Sequence, residues 1–275
     1  MSATPKPKAT KKAPAKKAAP KRATESISPK AKPAPAGKVQ SLTAKDFLEA
    51  LELLVSEEEL KKIQRYFKSG EGQYGEGDIF IGVRMGEVFT LAKAYMKMPL
   101  KEIEKLLESK IHEARAGAVS MMDFQARDKK TTEAQKKELF DLYIRRHDRI
   151  NNWDLVDRSA QFVVGAYLFD KPRTILYKLA KSKNVWERRT AIVSTGYFIR
   201  KRQLEDTFKI AETLLKDQHD LIHKAAGGWV REAGKQNKQL LLSFLDKHAA
   251  TMPRTMLRYA IEHLDSKLKK NYMDK

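Results

Sequence analysis

An all-α fold, an α-solenoid of antiparallel helix pairs behind a basic N-terminal tail, is the architecture predicted by this 275-residue sequence. Three observations carry that expectation. From about residue 41, apolar side chains recur at three- and four-residue spacing through one segment after another, as in amphipathic helices. Most links between these segments are only a few residues long. Short links make consecutive helices antiparallel neighbours, and hairpins stacked in series form a solenoid. The three tryptophans, Trp153, Trp186 and Trp229, are spaced by 33 and 43 residues, the range of two-helix repeats.

Taken in order, residues 1–40 form the tail and 41–275 the helical domain. Residues 1–38 hold 10 Lys, 1 Arg and 1 Glu, and seven of the ten prolines. With almost nothing apolar to bury and prolines interrupting any helix, this segment is expected to be disordered and extended. It resembles the lysine-alanine-proline tails of histone-like proteins and reads as a non-specific DNA tether or, alternatively, as a solubilising or targeting extension. Residues 42–54 and 57–67 read as two short amphipathic helices. The glycine-rich stretch from Gly70 to Gly77 is too loosely spaced to cradle phosphate and reads as a flexible connector, followed by a short apolar run at Ile79. Helices are then expected over 87–96, 100–107, 110–127, 132–145, 154–168, 172–181, 185–200, 204–216, 219–235, 238–247 and 253–263. Pro172 and Pro253 fall at helix starts, with Thr251 as a cap for the last.

Composition excludes several function classes. There is no cysteine, so disulfides and thiolate metal sites are ruled out. Of six histidines, only His219 and His223 have the i, i+4 spacing of a helical metal pair, and a usable site needs a third ligand. His112-Glu113 lacks a histidine four positions on, since Ala116 is there, so a zinc-protease motif fails. No metal and no cofactor is expected. No apolar run approaches 18 residues, and a soluble, intracellular, DNA-associated protein is the expectation, without a membrane role. With 55 Lys+Arg against 35 Asp+Glu the chain carries +20, a field that attracts polyanions, nucleic acid first.

The charge is not placed at random. Arg145, Arg146, His147 and Arg149 precede Trp153, Lys181 and Lys183 precede Trp186, and Arg188, Arg189, Arg200, Lys201 and Arg202 follow it. For any one of these a solvated helix face is an equally good account; as a set they flank the tryptophan turns. Trp153 and Asp157, four residues apart, project from one helical face and offer one ligand an aromatic wall and a fixed negative charge.

These residues also carry a resemblance. The ordered motifs Phe80-Ile81-Gly82-Val83-Arg84, His112-Glu113-Ala114-Arg115, Asn152-Trp153-Asp154-Leu155-Val156-Asp157, Val185-Trp186-Glu187-Arg188-Arg189, Lys224 to Glu232 and Met252 to Ala260 make the stretch from Glu57 to Leu264 similar to the DNA alkylation repair (AlkD-like) glycosylases, built from HEAT-like repeats. The resemblance implies hydrolysis of the N-glycosidic bond of N3- or N7-alkylated purines in double-stranded DNA, with no metal or organic cofactor and the base left in the duplex. It implies that Asp157 is the catalytic carboxylate, that Trp153 lies against the lesion nucleotide, that Arg189 holds phosphate and that Tyr66 is an N-terminal aromatic of the site. Arg188, Arg149 and Lys183 join them as candidate DNA contacts. In one place the chain departs from the family pattern: Gly227-Gly228-Trp229 moves the second aromatic one residue along, a rotation of about 100° on a helix. Either the helix shifts locally to restore Trp229, or one wall of the site is missing. The rival readings are a non-catalytic repeat protein that binds distorted or branched DNA, and a scaffold for a protein partner. A monomer is expected, since the solenoid requires no second chain.

Overall fold

The computed structural model describes residues 42–67, 70 and 72–275. The tail predicted over 1–40 lies outside these described residues. Among the described residues, fourteen α-helices follow in order: α1 (Ala44–Glu52), α2 (Glu57–Tyr66), α3 (Met85–Ala94), α4 (Leu100–Leu107), α5 (His112–Arg127), α6 (Glu133–Arg145), α7 (Trp153–Ala160), α8 (Thr174–Leu179), α9 (Val185–Arg200), α10 (Glu205–Thr213), α11 (Asp220–Gln236), α12 (Lys238–His248), α13 (Arg254–Ala260) and α14 (Ser266–Met273). The only strand-like pairing among them is an isolated parallel bridge between Ile79 and Ile111.

Local chemistry sets many of the starts. Thr43 and Thr132 form capping boxes with Asp46 and Gln135, and the side chains of Ser56, Asn152, Asn184, Asn237 and Asp265 each accept a backbone N–H of the helix that follows. These bonds satisfy donors that no helix can satisfy internally. The expected proline positions are off by a residue or two. Pro253 is itself the cap residue of α13, Pro172 precedes the residue before α8, and Thr251 donates its hydroxyl to the His248 carbonyl instead of capping. The predicted 154–168 helix is also not uniform: α7 passes into a π-helical turn, Gln161–Gly165, in which Ala166 N–H reaches back five residues to the Gln161 carbonyl. α14 has no counterpart among the helices expected from the sequence.

Packing is sequential. α3 lies on α5, α5 on α7, α7 on α9, α9 on α11 and α11 on α13, while α4, α8, α10 and α12 pack behind them against α5, α9, α9 with α11, and α11. This makes a series of inner helices backed by an outer row, held by one continuous apolar core running from Phe47 and Leu51 to Met256 and Leu257.

The paired glycines of α11 separate two demands. A Cβ at Gly227 would come 2.4 Å from the Met256 carbonyl oxygen, so this position lets α11 and α13 approach closely; a Cβ at Gly228 would meet nothing within 4 Å. Gly227→Ala is therefore expected to destabilise the protein by about 1–3 kcal/mol through overpacking. Gly228→Ala is expected to add about 0.5–1 kcal/mol through helix propensity. Thermal unfolding of the two variants checks the contrast, and equal shifts would refute it.

Candidate active site

Residues of α2, α7, α9, α11 and α13 line an open cleft of about 930 Å³. Trp153 and Asp157 of α7, Arg189 of α9, Trp229 of α11 and Tyr66 of α2 all line it, so five of the eight residues singled out in the sequence come together. Tyr74, Lys224 and Tyr259 also line it.

Asp157 and Arg189 form a two-pronged pair. Arg189 donates from Nε to Asp157 Oδ1 at 2.9 Å and from Nη2 to Oδ2 at 2.7 Å, while Nη1 donates to the Leu221 carbonyl at 2.6 Å. The guanidinium is nearly buried, with 9% of its side chain exposed, whereas the carboxylate side chain is 40% exposed at the cleft surface. A planar fork holding both oxygens fixes the carboxylate plane in a way a lysine could not. Two of the donors of Arg189, the residue expected to hold phosphate, are directed at Asp157.

Trp153 is fixed from several sides. Its ring stacks on Phe67 at a centroid distance of 5.6 Å, with Tyr66 edge-on at 5.8 Å. Tyr66 itself is 67% exposed at the cleft surface. The residues on either side of Trp153 are tied into a buried ionic cluster. Asn152 accepts the Trp153 N–H at 2.8 Å and donates to Asp78 Oδ2 at 2.9 Å. The imidazole of His112, in the first turn of α5, lies 2.7 Å from Asp154 Oδ2 and 3.2 Å from Asp78 Oδ2. Arg115 closes on the other oxygen of Asp78, and Glu113 accepts the backbone N–H groups of Ile81, Gly82 and Val83. Burial opposes a charge on His112, but Asp154 and Asp78 more than offset it and push its pKa up to about 9. Burial likewise works against the charge of Asp78. Hydrogen bonding from His112 and the Arg115 guanidinium outweigh it, and the Asp78 carboxyl titrates below its usual value.

The sequence alone does not mark Asp78, His112 and Asn152 as site residues. The connector expected from Gly70 to Gly77 does more than link helices: it brings Asp78 into this cluster and Tyr74 to the cleft, where Tyr74 meets Trp186 edge-on at 6.4 Å. Trp186 is buried and packs in the core.

Trp229 reaches the cleft without any helix shift. α11 runs unbroken through both glycines, and the indole rests on α9, where a Cβ at Gly196 would come within 2.6 Å of its ring. The displaced tryptophan therefore finds a seat, and Gly228 leaves open space in the cleft wall.

Three candidates do not join the cleft. Arg149 donates to the carbonyls of Leu107, Glu108 and Ser109, closing the C-terminal end of α4. Arg188 pairs with Asp217 and donates to the carbonyls of Ser182 and Lys183, and so ties two turns together. Lys183 is exposed away from the cleft lining. Arg145 and Arg146 are engaged by Glu104 and Glu108. As for metals, His219 accepts the Leu221 N–H and His223 contacts the Asp217 carbonyl, and no group of three or more ligating side chains occurs among the described residues. No helix among them is long and apolar enough to cross a membrane.

The sequence profile of the DNA alkylation repair enzymes matches residues 47–264, a span that contains every element of this cleft. The chain belongs to the DNA alkylation repair enzyme family. Its role is accordingly in DNA repair, and DNA is its partner. Among solved structures, it is similar to a predicted DNA alkylation repair enzyme from Enterococcus faecalis, with a TM-score of 0.62 and 18% identity over 77% of this chain and 97% of that one. At that identity the likeness establishes the shared all-α fold. No curated protein matches the chain.

The ionic cluster gives a pH signature. Because the folded protein raises the His112 pKa from 6.5 to about 9, its imidazolium favours the folded state fully below pH 6.5, and that contribution is lost as the pH rises through 9. The shift corresponds to roughly 3 kcal/mol. Denaturant unfolding between pH 6 and 9.5 is expected to show wild-type stability falling over this window, and His112→Gln to start lower and fall far less. Parallel curves for the two proteins would contradict the assignment.

Proposed function

We propose that this family member is a DNA glycosylase that hydrolyses the N-glycosidic bond of N3- or N7-alkylated purines in duplex DNA without extruding the base. The observation that carries the proposal is an exposed carboxylate, Asp157, held by a buried Arg189 in an open cleft that two indoles also line. The cleft is open rather than an enclosing pocket, which suits a base that stays stacked while its sugar is approached.

The chemistry needs little more. An alkylated purine is already cationic, so it departs with the electrons of the glycosidic bond as a neutral base and requires no general acid. The barrier is the positive charge developing on the sugar. A fixed carboxylate at that sugar stabilises the charge and orients the water whose oxygen bonds to C1′, the water's proton passing to the carboxylate or to solvent. In this reading Arg189 positions Asp157, and Trp153, Trp229 and Tyr66 supply flat surfaces for the sugar and backbone. The basic residues 1–38 act as a tether that holds the enzyme on DNA between encounters.

The test is release of free base from a duplex carrying one 7-methylguanine, repeated with an N3-alkyladenine. Asp157→Asn is expected to lower single-turnover release by about 10²-fold or more while duplex affinity stays within a few-fold. Circular dichroism and thermal unfolding would verify that the variant, which loses half of the Arg189 pair, remains folded. Duplex binding with no release from either substrate by the wild type would favour a non-catalytic protein that recognises distorted DNA. Deleting residues 1–38 removes +10 of the +20 charge. It is expected to make duplex affinity less steeply dependent on salt, measured by titration between about 50 and 200 mM, while leaving base release from bound substrate unchanged.

A further inference from the structure

Trp153 and Asp157 stand on a ridge. On one side is the cleft described above; on the other a second groove of about 450 Å³ is lined by the same two residues together with Phe89, Arg127, Arg158, Phe162 and Arg200. Its cations share one mode of support. The Arg127 guanidinium lies 4.4 Å and that of Arg200 5.7 Å from the centre of the Phe162 ring, and Arg158 lies 4.6 and 4.7 Å from Phe89 and Phe124. Lys93 continues the row, 4.8 Å from the centre of the Phe124 ring. A guanidinium stacked on an aromatic face keeps its edge, and hence its donors, pointing outward.

The groove carries more positive than negative charge. Three carboxylates line it, but Asp157 is already matched by Arg189 and Asp154 by His112. The third, the buried Asp123, is shared through Oδ2 between Arg127 at 3.3 Å and Arg158 at 3.2 Å. Two positive charges remain uncompensated among Arg127, Arg158 and Arg200. Arg200 has only Nε engaged, by Gln161 at 3.4 Å, so its two Nη groups have no acceptor among the described residues. Arg127 uses only Nη1. Beyond Arg127 an adjoining groove adds Lys93, Lys97, Lys129 and Lys130 against one carboxylate, Asp128.

We propose that this arginine-lined groove seats the phosphodiester backbone of the DNA strand that carries the reacting nucleotide, on the flank of Asp157 opposite the aromatic cleft. The assignment to that strand follows from the shared ridge. A groove that borders Asp157 itself is occupied by phosphates adjacent to the sugar at Asp157, whereas the complementary strand lies across the width of the duplex. The inference rests on the reading that DNA lies over Asp157, but not on base release. Arg127 and Arg200 are the two phosphate donors. Arg158, with Nε on Ser120 at 3.0 Å and Nη1 on Asp123, holds the groove wall.

The experiment is duplex binding by the full-length Arg127→Gln/Arg200→Gln protein, set against a control of equal charge change at exposed positions of α14, Lys267→Gln/Lys270→Gln. The probe is an undamaged duplex, so a protein that released no base would give the same answer, and the base-release assay fails or succeeds separately. Removing two phosphate contacts lowers the log-log salt slope by about 2, which makes the affinity loss between 50 and 200 mM salt roughly tenfold smaller than for wild type or control. Neutral methylphosphonate linkages next to the central nucleotide, on a strand marked by a 7-methylguanine and read with Asp157→Asn as the background, are expected to weaken binding by the unmutated groove. They are expected to leave the double-arginine variant unaffected. A salt slope equal to that of the lysine control would overturn the proposal, as would methylphosphonate sensitivity confined to the complementary strand.

Discussion

The geometry of the cleft depends on one buried imidazole. His112 sits at the start of α5 with a carboxylate on each ring nitrogen, one from the 70–80 segment and one from the first turn of α7. Charges this deeply buried cost several kcal/mol each unless they are paired and hydrogen-bonded, and removing one partner leaves the others stranded. The cluster consequently fixes one arrangement of three chain segments, which the Glu113 bonds, the Ile79–Ile111 bridge and the Arg158 contacts to α5 reinforce. Apolar packing would permit sliding; a carboxylate that must meet a particular nitrogen does not. Because Asn152 and Asp154 both belong to the cluster, Trp153 between them inherits that fixed placement.

A second constraint runs along the inner helices. Arg189 reaches from α9 to α7 and, through the Leu221 carbonyl, to α11, so the carboxylate, its guanidinium and the helix bearing Trp229 are registered to one another. Three consecutive inner helices thus share a single side chain. The aromatic surfaces need no comparable hydrogen-bond network, since an indole is located by the shape of what lies beneath it: Phe67 under Trp153, and the bare backbone of Gly196 under Trp229.

Much of this was legible in the sequence, for identifiable reasons. Helix boundaries such as 100–107 and 185–200 coincide with those expected, because apolar spacing is a local property that survives folding unchanged. The pairing of Trp153 with Asp157 on one face follows from helical geometry alone. α14 escapes the apolar pattern because its run Ser-Lys-Leu-Lys-Lys-Asn-Tyr-Met carries few apolar residues and buries only Tyr272. The ionic cluster was illegible for a different reason: its partners are separated by 34, 42 and 74 residues, and no spacing rule connects them. Arginine density was the least reliable guide. Arg149 and Arg188 flank the tryptophan motifs in sequence, yet their forks satisfy carbonyls at helix ends and turns, a demand that exists only once the chain has turned back on itself.

The π-helical turn after α7 has its own consequence. A turn of this kind accommodates one residue more than an α-helical turn, so side chains beyond it are rotated relative to those before it. α7 and its extension therefore carry two angular registers on one continuous rod. Trp153 and Asp157 face out before the turn; Gln161 and Phe162 open the turn itself, and Phe162 lies under two arginines from neighbouring inner helices. One rod thereby serves as the dividing wall between two chambers of different chemistry, and Trp153 and Asp157 on its crest belong to both, so a change at either residue is felt on both sides.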